Sequence, residues 1–261
     1  MDAELLLAHA LGCERSELFA RDDEPIGDAS ALRFEALVDE RARGVPVAYL
    51  TGEAWFYGRR FEITRDVLVP RPETEHVVEA ALADLRARKA ANLRVADIGT
   101  GSGAIAVSLS CELPEILVVG TDLSQPALAV ARRNARAHGV EERCTFLHGD
   151  LLEPLIGSAP LDCIVANLPY VPTAEIPRPP NPVAFEPALA VDGGSDGLVH
   201  YRRLLAQIAS VAAANATIFL EAAPPTIEPL AALVERLLPN AHIEVREDYA
   251  GLDRFLYVAL T

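Results

Sequence analysis

"VADIGTGSGAIAV" (Val95–Val107) decides the fold. Small and apolar residues lead to Asp97 and Ile98, glycines follow at 99, 101 and 103, and an apolar run resumes at Ala104. The order reads as strand, tight turn and helix. Glycines at such a turn take dihedrals that side chains resist and let a ligand approach the backbone, beside the free N–H groups that open a helix. Three readings fit the loop. As G-x-G-x-x-A it matches a dinucleotide site, with a pyrophosphate on the helix N-terminus. As D-x-G-x-G-x-G it matches S-adenosylmethionine, with Asp97 placing the amino-acid end. A bare turn, with Asp97 as a helix cap, is the third.

Outward from this loop the pattern repeats. "ILVVGTD" (116–122), "CTFLHGD" (144–150), "LDCIVAN" (161–167), "ATIFLEA" (216–222), "HIEVRED" (242–248) and "RFLYVAL" (254–260) read as strands. "SQPALAVARRNARAHG" (124–139), "GLVHYRRLLAQIASVA" (197–212) and "TIEPLAALVERLL" (226–238) read as helices between them. Short apolar strands alternating with helices predict an α/β, Rossmann-like fold whose mainly parallel sheet is covered on both faces. The last two strands leave no room for a helix, so the final strand is expected to be antiparallel. Before this unit, "DAELLLAHAL" puts Leu5, Leu6, His9 and Ala10 near one helix face. "DASALRFEALVDERARG" starts on an Asp cap and stops at Gly44, and "EAWFYGRRFEIT" turns at Gly58 as a hairpin. These predict a small, mainly helical N-terminal domain over 1–65 and a sheet domain over 66–261.

Composition narrows the function. Against 23 Lys and Arg stand 38 Asp and Glu, a net charge of −15, which argues against a broad nucleic-acid footprint and suits a basic protein partner. Cys13, Cys111, Cys144 and Cys163 have no CxxC spacing, and the six His offer no ligand pattern; His148 reads as a strand-end residue. No metal is expected. The acidic, helical start is not a signal peptide and no apolar stretch is long enough to span a membrane, so the expectation is a cytoplasmic protein with reduced thiols.

In a doubly wound sheet, ligands bind beyond the carboxyl ends of the strands. That edge gathers Gly99–Gly103 (with Thr100 and Ser102), Asp122, Asp150 with Leu151, and Asn167. Asp122, 25 residues after Asp97, can bind a ribose diol or cap the helix that follows. "NLPY" (Asn167–Tyr170) must then sit at the mouth of the site. If the ligand is S-adenosylmethionine, a planar NH2 nucleophile needs two acceptors. The Asn167 side-chain oxygen and the Leu168 carbonyl supply them, Pro169 keeps Leu168 extended and Tyr170 offers a ring face.

"NLPY" with "DIGTGSGAIAV" resembles methyltransferases that act on planar nitrogens. "PVAYLTGEAWFYGRRFEITRDVLVPRPETE" (46–75), "TDLSQPALAVARRNA" (121–135) and "FEPALAVDGGSDGLVHYRRLL" (185–205) narrow the resemblance to the N5-glutamine methyltransferases of peptide chain release factors. The resemblance implies a seven-stranded methyltransferase sheet, S-adenosylmethionine as cofactor, an N-terminal domain that recognises substrate, and a release factor's Gly-Gly-Gln glutamine as target, in translation termination. It implies cofactor contacts at Asp97, Gly99–Gly103, Asp122, Asp150, Leu151 and Asn167, and catalytic roles for Asn167, Leu168, Pro169 and Tyr170. Arg71–Glu75 would line the site, with Arg71 alternatively a structural ion-pair partner. Leu168 stands where the family usually has Pro, which resembles ribosomal RNA adenine dimethyltransferases and keeps adenine N6-methylation as the alternative. Ala188 stands where Arg is frequent, and the start is short for the family, as though its N-terminal domain were trimmed.

Overall fold

The computed structural model describes residues 1–20, 23–88, 90 and 92–261. The chain opens with α1 (Asp2–Leu11), α2 (Arg15–Ala20), α3 (Asp28–Ala42) and α4 (Val47–Thr51), followed by a hairpin of β1 (Glu53–Phe56) and β2 (Arg59–Glu62). Tyr57 and Gly58 both have positive φ (49° and 69°), the two-residue turn whose twist matches paired strands. On α1 the buried face is Leu6, Ala8 and Ala10, and His9 points to solvent instead. Gly27, not Asp28, occupies the cap of α3; Asp28 is its first helical residue, where a carboxylate favours the helix dipole.

The remainder is α5 (Thr74–Ala87), β3 (Arg94–Ile98), α6 (Ala104–Glu112), β4 (Leu117–Asp122), α7 (Gln125–Ala137), β5 (Cys144–His148), β6 (Leu161–Ala166), α8 (Ala188–Val191), α9 (Val199–Gln207), β7 (Ala212–Glu221), α10 (Pro224–Leu237), β8 (His242–Glu247) and β9 (Asp253–Ala259). Seven strands form one sheet in the order β5-β4-β3-β6-β7-β9-β8. The first five pair in parallel, and β9 runs antiparallel to both β7 and β8, as expected for the last strand. From β3 the chain winds one way through β4 and β5, then returns to β6 on the other side. The crevice at this reversal is where the predicted site residues meet.

One boundary differs from expectation. The helix read through Ala212 ends at Gln207 in a 3-10 turn (Ile208–Ser210), and β7 starts at Ala212. "VAAANA" has helical propensity, but Leu161 donates to the Val211 carbonyl (2.8 Å) and Leu161 pairs with Ala212, so sheet pairing overrides propensity.

Two apolar clusters form the core. One unites α5, α6 and α7 with Phe56, Phe61 and Ile63 from the hairpin and the segment that leaves it; the other lies under α9 and α10. All four cysteines are free, and burial pushes Cys144 up to about 11 and Cys163 up to about 12, so both are neutral thiols. Among the described residues no helix is long and apolar enough to cross a membrane.

Candidate cofactor and acceptor site

Gly99, Gly101 and Gly103 all have left-handed φ (72°, 55° and 79°), which explains why the turn carries no side chains there. The loop is held from behind. Thr121 accepts the N–H groups of Gly99 and Thr100 (2.9 and 3.0 Å), and Asn134 donates to the carbonyls of Ser102 (2.9 Å) and Glu62 (3.1 Å). Asp97 Oδ2 accepts from Thr100 Oγ1 (2.7 Å) and from the Ala106 N–H (3.1 Å), so Asp97 caps α6. Burial pushes the Asp97 carboxyl up to about 6, and its Oδ1 has no hydrogen-bond partner among the described residues. Asp97, Thr100, Ser102 and Gly103 therefore shape the loop from beneath, while Gly99 and Gly101 reach the cavity wall.

That cavity has a volume of about 240 Å³ and lies over the ends of β3, β4 and β6. Asp122 accepts from Gly101 N–H through Oδ2 (2.9 Å) and from Ser124 N–H through Oδ1 (2.8 Å). The cap of α7 is Ser124, whose Oγ accepts from Ala127 N–H (3.2 Å), so Asp122 is released from that duty and each oxygen keeps a lone pair. Asp150 is ion-paired to Arg203 through Oδ2, and its buried Oδ1 lacks a partner among the described residues. Leu151, with φ 52°, presents its side chain to the cavity and its carbonyl to Thr121 Oγ1 (2.8 Å). Two carboxylates with spare acceptor capacity beside the apolar Leu123 and Leu151 fit a nucleoside that carries hydroxyl and amino donors.

A second, smaller cavity of about 180 Å³ adjoins the first. The two share Leu68, Asn167, Leu168, Pro169 and Ala190, so Asn167 and the Leu168 backbone stand between two chambers. Tyr170 belongs to the second chamber only; burial, then the Glu221 carboxylate, push its phenol up to about 12. Asn167 Nδ2 donates to Thr74 Oγ1 (3.0 Å), which donates to Glu221 Oε1 (3.0 Å). Leu168 N–H donates to the hydroxyl of the fully buried Tyr201 (3.2 Å), a bond that Pro at this position could not make. Tyr201 in turn contacts the Glu221 carbonyl.

Tyr201 and Glu221 were missed as site residues, whereas Thr74 lies in the Arg71–Glu75 stretch expected to line the site. The available signal was a Glu closing an apolar strand at the same sheet edge as Asp122. The "DGGSDGL" stretch acts on the backbone: a Cβ on Gly193 or Gly197 would fall closer than 3.0 Å to Tyr170 main-chain atoms.

Arg71 lines the second chamber and also forms the structural pair: its guanidinium binds Glu186, whose other oxygen accepts from Val69 N–H (3.3 Å). Burial raises the Glu186 carboxyl and Arg71 opposes this. Arg71→Ala strands a carboxylate whose side chain is 0% exposed. Urea unfolding should show a loss of about 3 kcal/mol, largely recovered in Arg71→Ala/Glu186→Ala. Equal stability of the wild type and the single variant would show that the pair is not structural.

Residues 1–52 match the family model described as PrmC N-terminal domain, and residues 79–177 match that of the methyltransferase small domain. The release factor glutamine methyltransferase of Moorella thermoacetica is 44% identical over 254 residues, 97% of this chain and 89% of that protein. The Bacillus subtilis protein of the same description is 41% identical over 256 residues, 97% and 88% of the two chains. Among solved structures, a methyltransferase from Pyrococcus furiosus shares the fold at a TM-score of 0.56, with 16% identity over 86% of this chain and 96% of that one. A reversed last strand in a seven-stranded sheet, with two chambers meeting over its carboxyl edge, defines a Rossmann-like methyltransferase. Identity at this level over nearly the whole chain goes further. The chain belongs to the release factor glutamine methyltransferase family. The family does not favour the adenine alternative that Leu168 kept open.

Proposed function

We propose that this protein transfers a methyl group from S-adenosylmethionine to the side-chain amide nitrogen (N5) of a protein glutamine, that of the Gly-Gly-Gln motif in a peptide chain release factor. The observation that carries the reading is the pair of adjoining chambers with Asn167 and Leu168 at their common wall. S-adenosylmethionine supplies a methyl group already activated on a sulfonium. Gly99, Gly101, Asp122, Asp150 and Leu151 would hold it in the larger chamber, with Asp97, Thr100, Ser102 and Gly103 keeping the loop in shape.

The target glutamine enters the smaller chamber. Its NH2 donates to Asn167 Oδ1 and to the Leu168 carbonyl, which turns the nitrogen toward the larger chamber and stabilises the positive charge that grows on it as the N–C bond forms. Pro169 keeps Leu168 extended, and the neutral Tyr170 ring packs on the planar amide. The helical N-terminal segment, residues 1–65, contacts the body of the release factor, and the acidic surface suits a basic partner.

The test is methyl transfer from labelled S-adenosylmethionine to a purified release factor, beside a copy whose Gly-Gly-Gln glutamine is replaced. Label on the first and none on the second is expected. Label on both would move the acceptor elsewhere in the factor, and label on neither would remove the release factor as substrate.

A further inference from the structure

Asn167 serves as an acceptor only if its side-chain oxygen, and not its nitrogen, faces the shared wall. A half-turn of the amide exchanges the two atoms at almost no steric cost, so a neighbour has to choose between them. The choice is made by a chain of hydrogen bonds from three distant parts of the sequence. Asn167 Nδ2 donates to Thr74 Oγ1 (3.0 Å), and Thr74 Oγ1 donates to Glu221 Oε1 (3.0 Å). A hydroxyl has a single proton; once it is given to Glu221, the oxygen can only accept from Asn167. A carboxylate has no proton to give, so the last member sets the direction of the whole chain. Thr74 is 4% exposed and Glu221 1%, so bulk solvent does not compete for either part.

We propose that Thr74 and Glu221 are positioning residues that hold the Asn167 amide with its oxygen toward the acceptor nitrogen. The kinetic consequence rests on the glutamine-methylation reading; the geometry does not. A carboxylic acid at 221 could donate to Thr74, free the Thr74 proton for Asn167 Oδ1 and so reverse the chain. Burial already pushes the Glu221 carboxyl up to about 7; Glu73 pushes the same way, while Thr74, Arg254 and Asn167 favour its charged form. The Tyr170 and Tyr201 hydroxyls also face it, both neutral. Ionised Glu221, and with it the correct amide orientation, therefore prevails on the alkaline side of that value.

Thr74→Val keeps the shape and removes both halves of the relay, Thr74→Ser restores them, and Glu221→Gln makes the end of the chain ambiguous. With wild-type enzyme and a release factor, Thr74→Val should lower kcat about ten- to a hundredfold, with KM for both substrates within about threefold. Thr74→Ser should recover most of the loss. The wild-type kcat should fall as pH drops through about 7, and Glu221→Gln should lack that limb.

A second readout needs no substrate. The Asn167 side-chain NH2 signals in a 1H–15N spectrum, assigned by their loss in Asn167→Asp, should exchange slowly with solvent in the wild type and quickly in Thr74→Val. Wild-type turnover in Thr74→Val, or fast exchange in the wild type, overturns the relay. A protected amide in a protein that does not methylate the release factor upholds the relay and overturns the substrate reading instead.

Discussion

Asn167→Ala is expected to slow methyl transfer by about a hundredfold or more under single-turnover conditions. In the proposed reaction the variant deletes one of two acceptors at the wall between the chambers and leaves the Leu168 carbonyl alone to hold a nitrogen that is acquiring positive charge. Its effect belongs to the transition state, because a neutral amide binds its acceptors more weakly than a nitrogen on the way to a cation. The larger chamber, proposed to hold the cofactor, keeps Asp122, the glycine loop and Leu151, so cofactor affinity should change far less than the rate. Thr74 loses its donor but still donates to Glu221 Oε1, and no buried hydroxyl is stranded. Turnover within about threefold of wild type would show that Asn167 is not an acceptor in the reaction.

The second large effect is expected directly behind the wall of the second chamber. Gly197 sits at φ +73°, and a methyl group there would be driven into the Tyr170 carbonyl oxygen. A backbone atom cannot swing aside as a side chain can, so the acceptor segment has to move. A shift of about 1 Å in a positioned group costs on the order of a hundredfold in rate, and Gly197→Ala should show a loss of this size. The left-handed backbone adds about 1–2 kcal/mol of strain. Gly139 separates the two causes: it has φ +68° with nothing within 4 Å of its added Cβ. Gly139→Ala should lower thermal stability by a similar amount and leave turnover intact. If Gly197→Ala also leaves turnover intact, the "DGGSDGL" turn does not set the position of Tyr170.

The local features were legible because their causes are local. The glycine loop, the hairpin turn at Gly58 and the strand that ends at Asn167 each follow from residues within a few positions of one another. The end of α9 was not, since "VAAANA" is drawn into the sheet by Leu161, a partner that propensity does not see. Asp97 shows a related limit. Its place at the end of β3 was legible, but its bonds to Thr100 and Ala106 place it under the loop, behind the cavity wall. The chain through Asn167, Thr74 and Glu221 spans separations of 93 and 147 residues, and only the winding of the sheet brings its members together.

The hairpin bears on how chains of this kind exchange parts. Phe56 and Phe61 are almost wholly buried in the cluster beneath α5, α6 and α7, and Asn134 of α7 bonds the Glu62 backbone from both its amide atoms. A recombination joint placed after the hairpin would cut through a packed interior, and the two halves would have to be inherited together. A joint at Gly52, where the match to the N-terminal family model also ends, spares those contacts but still parts Ala48 from the same cluster and the Tyr49 hydroxyl from the Val67 carbonyl (2.6 Å). An exchange of α1 to α4 is therefore expected to succeed only where the incoming α4 refits this seam, with the hairpin remaining on the sheet.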